Sequence, residues 1–163
     1  DAVTLAPYMG RDSVDPFLKF DNKWAVILAL TSNPSATDFE TMNIVSDDLN
    51  AANGNSPLYR KVIETAMGWG TSDNIMFVAG ATRPEKLGEI RQYCPNHFLL
   101  VPGVGTQGGT IAEVAKYGMN SQCGLLVNIS RNIIFAGKGK DFDSVAAEKA
   151  KEAACEMASY LNV

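Results

Sequence analysis

Four glycines stand within ten residues in "VPGVGTQGGT", 101–110, between the apolar "HFLL" and the helical-looking "IAEVAKYG". Glycine admits positive φ and lets an anion approach the main chain, and the helix that follows offers its own unpaired N–H groups. Gly103, Gly105, Gly108 and Gly109 therefore form a candidate phosphate cradle, although tight packing alone would also use them. The stretch matches neither GxGxxG nor the P-loop pattern with its Lys. Further on, "NISRNIIFAGKG" puts Arg131 at the end of another apolar run. Its planar guanidinium suits a phosphate, or pairs with a surface carboxylate. In "LTSNPS", Thr31, Ser32 and Asn33 precede Pro34. These uncharged groups fit the polar edge of a heterocycle or sugar, and they equally fit a turn before proline.

Five apolar runs must carry these groups: 2–7, 24–30, 74–80, 98–103 and 124–130. They are nearly continuous in hydrophobicity, which predicts parallel strands covered on both faces. Helix candidates lie between and after them, at 13–20, 56–70, 82–94, 108–118 and 142–161. Ser56-Pro57 and Thr82-x-Pro84 act as start signals and Gly118 as a stop. A βα unit repeated five times fits either an open doubly wound sheet or part of a (β/α)8 barrel, which in full takes about 250 residues. Both folds bind ligands at the carboxyl ends of strands, where all three candidate stretches fall. If the five units are the last five of eight, the glycine loop and Arg131 follow strands seven and eight, the usual place for a barrel's phosphate site. The polar stretch Ser32–Asn55 exceeds an ordinary βα loop and is a candidate lid.

Other residues fail this positional test. His97 precedes a strand, at the stability face, and the Asp47-Asp48 pair reads as a solvated loop. Asp141 and Asp143 read as helix caps, and the last helix, with Cys155, Met157 and Leu161, as an amphipathic packing element. No His/Cys/Asp/Glu cluster has metal spacing, so no metal is implied. The 163 residues, 46% hydrophobic and 20% charged, suit one domain, 1–163. A net charge of −4 and a pI near 4.9 argue against nucleic-acid or anionic-membrane surfaces. The absence of an apolar run of roughly 18 residues argues against a membrane span. Cys94, Cys123 and Cys155 lack CxxC spacing and suit the reducing cytoplasm. Because "DAVTLAP" opens directly in a strand-like run, a fragment of a longer chain is expected.

Taken together, "DAVTLAPYMG", "TSNPS", "VPGVGTQGG" and "SRNIIFAGKG" resemble the carboxyl-terminal five βα units of orotidine 5′-phosphate decarboxylases, in the branch with larger subunits. The resemblance spans essentially the whole chain. It implies a (β/α)8 TIM barrel that converts orotidine 5′-phosphate to uridine 5′-phosphate without cofactor or metal, in homodimers. By position it implies Gln107 and Arg131 as phosphate ligands, with backbone N–H groups at Gly109 and Asn132 assisting. Ser32 would bond the pyrimidine and Pro102 line its pocket. The family's Asp-x-Lys-x-x-Asp motif belongs to the third barrel strand and is absent here, so this chain alone is expected to be inactive. The lookalike "DNKWAV", with Asp21 and Lys23, precedes its strand and lies on the wrong face. The remaining alternatives are a phosphoribosyl-binding module without chemistry and a flavodoxin-like protein holding a phosphorylated cofactor.

Overall fold

Apolar runs that need cover on both faces pair with one another, and in the computed structural model, which describes residues 1–45, 55–105 and 108–161, all five do so in parallel. They are β1 (Ala2–Leu5), β2 (Trp24–Leu30), β5 (Ile75–Ala79), β6 (Phe98–Val101) and β7 (Leu125–Val127). The helices are α1 (Asp15–Leu18), α2 (Leu58–Met67), α3 (Pro84–Tyr93), α4 (Ile111–Gly118), α5 (Arg131–Ile134) and α6 (Phe142–Leu161). The helix expected over 13–20 forms as the shorter α1, and two 3₁₀ turns, 7–9 and 11–13, precede it. Gly10 separates the turns with φ +90°, a conformation that ends helical winding.

The sheet order is β1-β2-β5-β6-β7. The parallel strands therefore lie side by side in chain order, with no point at which the order reverses. A doubly wound sheet needs such a reversal and covers both faces with helices. Here one face is covered. Ala25, Ile27 and Ala29 of β2, Ile75 and Phe77 of β5, and Leu99 and Val101 of β6 pack with Tyr59, Ile63, Leu87, Ile90 and Val114 of the helices. The alternate residues, Val26, Met76 and Val78 with Trp24, Leu28, Phe98 and Leu100, form a separate cluster made only of strand residues. A one-sided helical layer around strands in sequential order is part of a (β/α)8 barrel, and it excludes the flavodoxin-like arrangement.

Two sequence expectations change. The stretch after Ser32 is not plain loop: it forms a 3₁₀ turn at Pro34–Asp38, and β3 (Asn43–Val45) pairs antiparallel with β4 (Asn55–Pro57). The rest of the expected lid, including Asp47 and Asp48, lies outside the described residues. In α6 the packing face is Ala153, Met157 and Tyr160, whereas Cys155 and Leu161 are exposed. His97, by contrast, is buried at the start of β6 against the Phe77 ring, 5.4 Å between centroids. Lys23 pairs with Asp1 at 3.0 Å, at the amino ends of β1 and β2 and away from the strand tops. Among the described residues no helix is long and apolar enough to cross a membrane.

Candidate functional site

Hydrogen bonds carry each strand's carboxyl end to the next. Gly80 N–H donates to Leu30 O (2.8 Å), Ala81 N–H to Pro102 O (2.9 Å), and Asn128 N–H to Val101 O (3.0 Å). The loops after β2, β6 and β7 are thereby drawn to one rim. Ser32 sits so close to β5 that a Cβ on Gly80 would lie 2.8 Å from Ser32 N. Only glycine lets that turn rest there.

Three of the predicted residues, Ser32, Pro102 and Arg131, line one cleft of about 160 Å³, to which Asn128 and Ser130 add polar groups. Ser32 and Pro102 are half-buried and Arg131 is exposed. Among the described residues Arg131 has no carboxylate partner, which removes the surface ion pair that competed with an anion-binding role. Gly109 and Asn132 line an adjoining cavity of about 430 Å³, which also contains Lys149, Glu152 and Glu156. Lys149 is engaged by Glu152 at 2.6 Å, so this second cavity carries more negative than positive charge. A phosphate is favoured on the Arg131 side. Gln107 lies outside the described residues.

The glycine loop divides its labour. Gly103, Gly105 and Gly108 have φ of +96°, +89° and +99°. Gly109 serves close approach instead, since a Cβ there would lie 2.7 Å from Ala81 O. Gly105 N–H donates to Gly109 O at 2.8 Å, closing the loop, and the space a Gly105 side chain would need is taken by the Asn132 carboxamide. The two loops of the rim are thus in direct contact. One expectation is narrowed: the N-terminus of α4 is already partly capped from within the chain. Thr110 Oγ1 accepts the Glu113 N–H (3.2 Å) and Glu113 Oε2 accepts the Thr110 N–H (3.3 Å). This capping box occupies helix donors and places a carboxylate there. The loop and Arg131 are therefore better placed to receive an anion than the capped helix end.

Sequence reasoning also missed Glu40. Its carboxylate accepts the Thr31 N–H at 2.7 Å and lies 2.8 Å from Thr31 Oγ1, directly before Ser32. The opposite end of the barrel wall is held by Arg91, whose guanidinium donates to the carbonyls of Cys94, His97, Gly118 and Gly124. Burial lowers the pKa of Arg91 and pushes the Cys94 thiol up to about 12. Both are structural groups at the closed face. Among the described residues no group of His, Cys, Asp and Glu could hold a metal ion.

Fold and rim define the class: a partial (β/α)8 barrel whose carboxyl-terminal face gathers an arginine, a serine and a glycine loop. No protein-family model matches the chain. It is 51% identical over 161 residues to the orotidine 5′-phosphate decarboxylase of Christiangramia forsetii, covering 99% of this chain and 56% of that protein. It is 52% identical to that of Parabacteroides distasonis, covering 55% of it. Among solved structures, Leishmania donovani UMP synthase superposes with a TM-score of 0.76 at 34% identity, over 94% of this chain and 32% of that one. Leishmania donovani OMP decarboxylase gives 0.74 at 30%, over 94% and 56%. The chain is homologous to orotidine 5′-phosphate decarboxylases and corresponds to their carboxyl-terminal half. It spans about half the length of the curated relatives it matches.

Proposed function

We propose that residues 1–163 belong to one orotidine 5′-phosphate decarboxylase barrel, a carbon–carbon lyase that forms uridine 5′-phosphate in pyrimidine biosynthesis, and that they carry its substrate-holding loops. The observation that carries this reading is the shared cleft of Ser32, Pro102 and Arg131 at the strand tops of a chain about half identical to such enzymes. Arg131 takes phosphate oxygens in its fork, assisted by Gln107 and by N–H groups of Gly109 and Asn132. The Ser32 hydroxyl bonds the pyrimidine edge and Pro102 flanks the ring.

The cleft is smaller than the roughly 300 Å³ that nucleotide-sized ligands need. The missing walls come from three further βα units beyond the free edge of β1. In this reading those units also supply the Asp-x-Lys-x-x-Asp motif. There the bond from C6 to the carboxylate breaks, carbon dioxide leaves, and the electron pair at C6 takes a proton from the lysine ammonium, with no metal or organic cofactor. The loops described here contribute through binding energy at a remote group, which positions the reacting carbon. Completed barrels form homodimers in the cytoplasm. Tyr8 and Met9, 93% and 80% exposed after β1, suit burial against added chain.

The test is a complete barrel made by joining this chain to the amino-terminal half of the C. forsetii relative. It is expected to decarboxylate orotidine 5′-phosphate, while the chain alone does not. A complete barrel that binds uridine 5′-phosphate without turnover would favour a non-catalytic binding module.

A further inference from the structure

Glu40 ties three pieces of the rim together. Its Oε2 accepts the Thr31 N–H at 2.7 Å, and its Oε1 lies 2.8 Å from Thr31 Oγ1. That hydroxyl also lies 2.5 Å from Asn33 Oδ1, so its single proton is shared between two acceptors. The Glu40 main chain is held as well: its N–H donates to Ala36 O (2.9 Å) and its carbonyl accepts the Tyr59 N–H (2.8 Å). One residue thereby joins the end of β2, the 3₁₀ turn after it and the first turn of α2.

The need for such a tie follows from the register. Pairing of β1 with β2 stops at Ile27, and Leu30 O is already taken by Gly80 N–H. Among the described residues the half-buried Thr31 N–H, beyond the ladder, finds its acceptor in the Glu40 carboxylate. A carboxylate suits this place because it only accepts, and its two oxygens serve a backbone and a hydroxyl donor at once. Holding Thr31 on both groups fixes the peptide that leads into Ser32, which Gly80 admits against β5 from the other side.

We propose that Glu40 is a positioning residue for recognition of the nucleotide base, acting through Thr31 on Ser32. The inference rests on the assignment of Ser32 to the pyrimidine. In the complete barrel, Glu40→Ala is expected to weaken uridine 5′-phosphate about tenfold, with ribose 5-phosphate unchanged. Glu40→Gln restores most of the loss, because its carbonyl can accept the Thr31 N–H while its NH₂ donates to Thr31 Oγ1. Amide exchange at Thr31 quickens in Glu40→Ala and not in Glu40→Gln. Equal losses for the two ligands, or no loss for uridine 5′-phosphate, would overturn the proposal. Should Glu40→Ala fail to fold, Thr31→Val removes the hydroxyl limb alone and is expected to cost about threefold for uridine 5′-phosphate only. If the unmutated barrel does not bind uridine 5′-phosphate, the function reading itself fails and takes this inference with it. Normal binding with an indifferent Glu40 variant sinks this inference alone.

Discussion

Arg131→Ala offers the most direct test of the phosphate assignment. Unit charges 4 Å apart interact by about 1 kcal/mol in bulk water and about 4 kcal/mol at the effective dielectric near a protein surface. Arg131 is exposed on an open cleft, which argues for the watery end of that range. A phosphate near dianionic charge doubles the interaction, and among the described residues no carboxylate forms an ion pair with Arg131. The expected loss is therefore about 2–3 kcal/mol, roughly 30- to 150-fold in affinity. Calorimetric titration of the complete barrel with uridine 5′-phosphate and with uridine separates the effects. The nucleotide should lose this amount and the nucleoside almost nothing. The loss should also shrink with added salt, since the pair is solvent-accessible. Equal losses for both ligands would refute the assignment, because a generally damaged cleft cannot distinguish a ligand with phosphate from one without.

Ser32→Ala should weaken uridine 5′-phosphate by about 1 kcal/mol and leave ribose 5-phosphate unchanged; unaltered nucleotide affinity would remove Ser32 from the site. Gly109→Ala should lower the melting temperature of the complete barrel by the equivalent of about 1–3 kcal/mol, because the new methyl would meet Ala81 Cβ at 2.6 Å. An unchanged melting temperature would show that the loop can shift freely. Burial and the charge of Arg91 depress the His97 pKa below its usual 6.5. The unfolded chain then binds the proton more readily, so the stability His97 permits is complete above about pH 6.5 and falls as pH drops below it. His97→Phe should flatten that acid slope and add about 1–2 kcal/mol, since neither buried ring nitrogen has a partner among the described residues. A slope equal to the parent's in thermal melts from pH 5 to 8 would contradict this.

Continuity of apolar residues made β2 and α6 legible at their observed bounds, 24–30 and 142–161. It overran β7, expected to 130 and ending at Val127, because the Asn128 N–H continues the ladder to Val101 O while the chain beyond turns into α5. The choice between barrel and open sheet could not be read from periodicity, since both bury strands on two faces; strand order decided it. Ser32, Pro102 and Arg131 could be expected at one rim because each lies at the carboxyl end of an apolar run, and the three do line one cleft. Glu40 was not, as its partner Thr31 lies nine residues earlier across polar sequence with no motif spacing. The capping box did carry a signal, Thr110-x-x-Glu113, and that spacing alone argues against an open helix end.

The two faces of the sheet give a reason why, under the proposed function, substrate holding and chemistry would separate in the barrel. On the helix side Ile27, Ile75, Phe77, Leu99 and Val101 are all fully buried. On the other side β1 leaves Ala2 and Thr4 exposed, in register with Trp24 and Val26 of the strand-only cluster. The outer layer is built by each βα unit with its neighbour and is complete wherever two units are adjacent. The inner layer requires strands from across the barrel, so it stays open until the ring closes. The rim loops after β2, β6 and β7 hang from the helix-side layer, tied by bonds between neighbouring strand tops, and the proposed phosphate grip can take shape there. Stabilising a carbanion needs fixed charges in an enclosed, water-poor site. That enclosure is a property of the inner layer, and only the closed ring can provide it.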